Sequence, residues 1–189
     1  MSDPEDRFTY LLDEADRCCA HFGGGKDLIV RLFRETSSWA FIIQLDALHE
    51  TSIRSIARRC LSFQSKNTAF EVPFLADKLN YQGGANSLLH LIRSIGIKPE
   101  LVTYADRVRK IRNRYAHNIN NVEVDLLDMI LEYQDHNACL KMFSYIEDTG
   151  WNVERFVALE RENHALLHFG MLHQTMLLLS ELHVATELR

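Results

Sequence analysis

Prolines and glycines are scarce: three and eight among 189 residues. Few chain breakers leave room for long helices. No segment alternates apolar and polar residues as a half-buried strand does, no repeat is visible, and nothing is low in complexity, which argues against a sandwich, a solenoid or a disordered chain. The four cysteines, Cys18, Cys19, Cys60 and Cys139, show no paired ligand spacing. Vicinal Cys18 and Cys19 lie on a helical stretch and make a poor disulfide. With no signal peptide in view, a reduced, cytoplasmic chain is expected. No run reaches the ~18 apolar residues of a membrane helix. The nearest, 171–182, is interrupted by His173, Gln174 and Glu181, so no membrane partner is expected.

What is present is ordinary for a soluble globular protein: 47% hydrophobic and 25% charged residues. The length suits a single domain, 1–189, with a real core. A net charge of −5 gives no global affinity for nucleic acid, but the charge is uneven. Residues 107–114 hold five bases (Arg107, Arg109, Lys110, Arg112, Arg114) and no acid. Residues 123–135 hold five acids (Glu123, Asp125, Asp128, Glu132, Asp135) and no base. The basic island is either a local phosphate-attracting patch or a solvated helix face paired with the acidic segment that follows.

The periodicity predicts an all-α, up-and-down helical bundle. A first amphipathic helix starts at Pro4 and runs to about residue 21, closed by Gly23-Gly24-Gly25. Gly-Gly-Gly-Lys lacks the spacing and the preceding strand of a phosphate loop, so it reads as a linker. Residues 27–63 form one long helix, or two broken near Thr36-Ser37-Ser38. A loop over 64–72 follows, then a short helix over 73–80 and, after Gly83-Gly84, another through Ser94. Pro99 starts a helix with Tyr104, Val108, Ile111 and Tyr115 as its buried stripe. Asn118 to Asn121 close it. One helix is expected over 124–148, and a last long one, capped by Asn152, over 153–188.

His164 and His168 stand four apart, a spacing that can chelate a metal on one helix face. No third ligand is fixed by spacing, and Ala165 stands where a zinc-protease motif has glutamate. Neither a metal site nor a cofactor is expected.

The stretch that carries chemistry is Arg109 to Asn118. A neutral imidazole takes a proton from a hydroxyl and an imidazolium returns one. A guanidinium holds a phosphate through two parallel hydrogen bonds and offsets charge growing on it. Arg112, Asn113 and His117 thus supply the groups for metal-free RNA cleavage by the ribose 2′-hydroxyl. Arg109, Asn113 and His117 share a helix face. Arg112 and His117, five apart, diverge by roughly 140° on an ideal helix. Either the helix loosens before His117 or two copies of the segment meet across a symmetric interface. A homodimer is expected.

The run Arg112-Asn113-Arg114-Tyr115-Ala116-His117 resembles the signature of the HEPN superfamily (higher eukaryotes and prokaryotes nucleotide-binding domain): arginine, a polar residue, then histidine after four to six residues. Within it, the chain looks most like the stand-alone phage-defence domains. The resemblance implies a four-helix core with extra short helices and a metal-independent endoribonuclease with a composite cleft between two protomers. Arg112 would hold the scissile phosphate, His117 would act as base or acid, and Asn113 would position either. Arg109, Lys110 and Arg114 would hold flanking phosphates of the RNA. His49 and Glu50, in the middle of the long second segment, are candidate supports facing Arg112, or plain surface residues. HEPN toxins controlled by a nucleotidyltransferase antitoxin often carry a tyrosine two residues after the histidine. Here that residue is Ile119, which speaks against such a partner. The other class of function open to such a bundle is nucleotide or partner binding without catalysis.

Overall fold

The computed structural model describes residues 26–65, 73–81, 87–144 and 151–187, with Asp13 and Asp16 besides. The expected first helix, apart from those two helical residues, the Gly23–Gly25 linker, the vicinal cysteines and the Gly83-Gly84 break lie outside the described residues, as does most of the 64–72 loop.

Nine α-helices form an all-α bundle among the described residues: α1 (Lys26–Phe33), α2 (Ser38–Ser65), α3 (Pro73–Lys78), α4 (Leu88–Ser94), α5 (Pro99–His117), α6 (Leu126–Leu131), α7 (His136–Ser144), α8 (Val153–Asn163) and α9 (Leu166–Glu187). The 27–63 segment is two helices. Glu35 Oε1 accepts from the Ser37 amide at 3.0 Å, and Ser37 Oγ accepts from the Ala40 amide at 3.2 Å. These bonds end one helix and start the next, because short polar side chains satisfy amides that a continuous helix would have used. α5 begins at Pro99, whose missing N–H costs nothing in the first turn.

The three long helices run up, down and up. On α2 and α5, Asp46 meets Arg109 and His49 meets Tyr104, so the pair is antiparallel. On α5 and α9, Lys98 pairs with Glu181 and Tyr104 bonds the Met171 carbonyl, again antiparallel. α9 also packs against α1, α2, α7 and α8, which explains why its sequence is apolar on nearly every side. No described helix is long and apolar enough to cross a membrane. The core between them holds Phe41, Leu45, Ile56, Tyr104, Phe143 and Leu179, all fully buried. Each such aliphatic side chain contributes about 1.5–3 kcal/mol by leaving water.

Two expected helices are broken. Residues 124–148 do not form one helix: α6 ends at Leu131, and α7 starts at His136. Between them, the Arg114 guanidinium lies 4.9 Å from the Tyr133 ring centroid and pairs with Glu132, while Arg107 pairs with Asp135. The corner is taken up by side chains of α5, which local periodicity does not register. Residues 153–188 also form two helices. His164 adopts a left-handed conformation (φ 51°) and ends α8. Buried Glu160 accepts from the Leu167 amide at 3.0 Å and so caps α9 from outside. The break removes the shared helix face assumed for His164 and His168: His164 is exposed, and His168 is buried and stacked on Phe41 at 3.9 Å.

α7 and α9 touch at Gly170, where an added Cβ would lie 1.9 Å from the Phe143 carbonyl oxygen. Gly96, in contrast, has open space around it but a φ of 99°. Gly170→Ala is expected to cost about 3 kcal/mol through helix displacement, and Gly96→Ala about 1 kcal/mol through backbone strain alone. Chemical denaturation of both variants checks this; equal losses would place the α7–α9 contact elsewhere.

Candidate functional site

α5 is unbroken through His117. Its end is pinned: Tyr115 Oη donates to the Val124 carbonyl at 2.9 Å, and Asn121 Nδ2 donates to the Arg114 carbonyl at 3.0 Å. Asn118 Oδ1 caps the short 3₁₀ turn Ile119–Asn121. The helix therefore does not loosen before the histidine. His117 is exposed, and Arg112 leaves the helix in another direction, roughly 140° around its axis. Within one chain the two side chains diverge.

The basic island is mostly neutralised. Arg107 pairs with Asp135 and Arg114 with Glu132, so both reach the acidic segment. Arg114 also donates to the Met129 carbonyl at 3.3 Å. Lys110 pairs with Asp106 at 2.8 Å, one turn back on its own helix. These are surface pairs, screened by water, and add little to stability. Arg109 differs. Its Nη1 donates to Asp46 Oδ2 at 2.6 Å and lies 3.5 Å from Glu50 Oε2, and its guanidinium sits 5.2 Å from the Tyr81 ring centroid. Arg109 is thus turned into the α2–α5 seam.

Arg112 is left over. Its Nη1 donates to the neutral Asn113 Oδ1 at 3.2 Å, and its Nε stands 3.6 Å from Asp46 Oδ2. Of the five cations in 107–114, the other four each hold a carboxylate at 2.8 Å or closer. Asp46 itself is buried, 2% exposed. Burial pushes its carboxyl above the ordinary value, against the hydrogen bond and charge of Arg109 and the charge of Arg112.

Of the two expected supports, Glu50 faces this network: it lies beside Arg109 and takes two hydrogen bonds from Arg54, at 2.7 and 3.0 Å. His49 does not. It points into the core, where Nε2 meets Thr175 Oγ1 at 2.9 Å and the ring stands edge-on to Tyr104. Thr175 donates to the Met171 carbonyl, and so does Tyr104 at 2.6 Å. With its proton on that carbonyl, Thr175 Oγ1 accepts from the Nε2–H of a neutral His49.

The residue that sequence reading passed over is Asp46. A signal was present: Asp46 and Glu50, one turn apart inside an apolar helix, mirror Arg109 and Arg112, three apart on α5. Among the described residues no cluster of three metal-binding side chains exists. No family model, curated protein or solved structure matches this chain.

Burial holds the His49 pKa down at about 3, against an ordinary 6.5. Below pH 6.5 the unfolded chain takes up a proton that the folded one refuses, so acidification costs stability through this window, about 1.4 kcal/mol per pH unit. Between pH 7 and pH 5 the wild type should lose about 2 kcal/mol more than His49→Gln, read from urea midpoints at both pH values. Parallel losses would show that His49 does not titrate in this way.

Proposed function

We propose that this chain is a HEPN-type, metal-independent endoribonuclease that acts as a homodimer, in phage defence or as a toxin. One observation carries the reading: among the described residues, the signature arginine alone of the five cations in the island holds no carboxylate at hydrogen-bond distance, its nearest being Asp46 at 3.6 Å. An arginine whose task is structural is expected to grip a carboxylate at hydrogen-bond distance, as its neighbours do. An exposed histidine five residues on supplies the proton-transfer group.

In this reading the ribose 2′-oxygen attacks the adjacent phosphorus, and its proton passes to a neutral His117. The 5′-oxygen leaves with a proton from an imidazolium. The products are a 2′,3′-cyclic phosphate and a 5′-hydroxyl. Arg112 offsets the charge on the phosphorane oxygens, and Asn113 holds Arg112 through its amide oxygen. Because α5 is continuous, His117 of one copy works with Arg112 of the other across a two-fold axis. Lys110 and Arg114 exchange their surface ion pairs for flanking phosphates. Arg109, bound to a buried carboxylate, stays out of contact with RNA. Ile119 is 83% exposed beside the site, and no tyrosine stands there for a nucleotidyltransferase to modify.

The second reading, a nucleotide- or partner-binding and dimerisation module without catalysis, is favoured by the ion pairs that tie up most of the basic island.

The test is cleavage of mixed tRNA and single-stranded RNA in excess EDTA. Arg112→Ala and His117→Ala should each lose at least about 100-fold in rate with helicity and melting intact. A wild type that leaves RNA whole, or three proteins that cleave alike, would defeat the nuclease reading and leave the binding module.

A further inference from the structure

We propose that Asp46 is the positioning residue of Arg112, and that Arg109 is the counter-charge that lets it orient Arg112 without neutralising it. This rests on the nuclease reading above.

A lone arginine on a helix face swings on a long stem, and a carboxylate that fixes it normally also cancels its charge. The α2–α5 seam separates the two effects. Asp46 Oδ2 accepts from Arg109 Nη1 at 2.6 Å while standing 3.6 Å from Arg112 Nε. The one carboxylate is shared: Arg109 holds it at hydrogen-bond distance, and Arg112 keeps a longer ion pair to it that sets direction. With the Nε edge of Arg112 turned to Asp46 and one Nη1 hydrogen on Asn113, Nη2 and the second Nη1 hydrogen are left for a phosphate.

The carboxylate is fixed from behind. Arg109 is held by Glu50 at 3.5 Å and by the Tyr81 ring. Glu50 is gripped by Arg54, which also donates to the Ala76 and Leu79 carbonyls at 2.9 and 3.2 Å. The sequence of charges is Arg54, Glu50, Arg109, Asp46, Arg112: plus, minus, plus, minus, plus. The single surplus positive charge falls on Arg112, at the partly exposed end. Stability does not call for this arrangement. Asp46 Oδ1 is buried without a hydrogen bond among the described residues, and apolar side chains replace buried ion pairs at little or no loss of stability in general. Orientation is what an apolar residue would not supply.

The experiment compares wild type with Asp46→Asn, in two measurements. In the first, the Nε–H resonance of Arg112 is followed by NMR in ¹⁵N-labelled protein without RNA, assigned by its disappearance in Arg112→Lys. It should shift or broaden in Asp46→Asn. In the second, RNA cleavage in EDTA should show kcat down 10- to 100-fold with KM within about threefold, because a displaced guanidinium weakens the transition state more than the encounter. If Asp46→Asn melts within the assay range, Asp46→Glu replaces it; this variant keeps the charge beside Arg109 and moves Arg112 by one methylene, with the same split expected. An unmoved Arg112 resonance overturns the proposal, and so does an active wild type whose kcat is indifferent to Asp46. If the wild type does not cleave RNA, the nuclease reading has failed instead, and the resonance alone decides whether Asp46 holds Arg112.

Discussion

The contact on which the α2–α5 pair depends is the bond between Asp46 and Arg109. It joins α2, the longest described helix, to α5 deep in their seam, and its carboxylate is almost wholly out of water. Losing either partner of such a pair costs roughly 3–5 kcal/mol, since the other charge is stranded. Sliding α2 along α5 by one turn, about 5.4 Å, would strand both. The pair therefore fixes register more than it adds stability. Everything at the candidate site inherits that register: the distance from Asp46 to Arg112, the side of α5 that Arg112 leaves from, and the height of His117 relative to α2.

A second polar node does the same for α9. His49, Tyr104, Thr175 and the Met171 carbonyl come from α2, α5 and α9 and bond one another in an otherwise apolar interior. Apolar side chains tolerate sliding; hydrogen bonds of fixed length do not. Two nodes, one ionic and one neutral, thus set three long helices against one another, and the short helices fill in around them.

The helix α5 was legible from sequence because its information is local. Pro99 opens it, the 104–108–111–115 stripe is buried, and asparagines close it. The breaks at 132–135 and at His164 were not legible. Their causes are Arg114 and Arg107 reaching in from another helix, and Glu160 reaching past the end of its own. The same divide runs through the site. Arg112, Asn113 and His117 stand out within one short window. Asp46 lies 63 residues from Arg109, and charge pattern alone does not say which acids of a long helix turn inward. His49 shows the converse: a polar residue flanked by acids, which the surroundings suggest is at the surface, sits in the middle of the core.

The continuity of α5 has a consequence for how such a segment can change over time. Arg112 and His117 are two marks on one rigid rod, without a hinge between them. A residue inserted between them would turn the histidine by about 100° and carry it 1.5 Å along the axis. In this chain such a change would move it off its present face altogether. The same segment is bound on its other sides, because Ile111 and Tyr115 are buried and Asn113 contacts Arg112, so a change of length there would shift core, cap and site together.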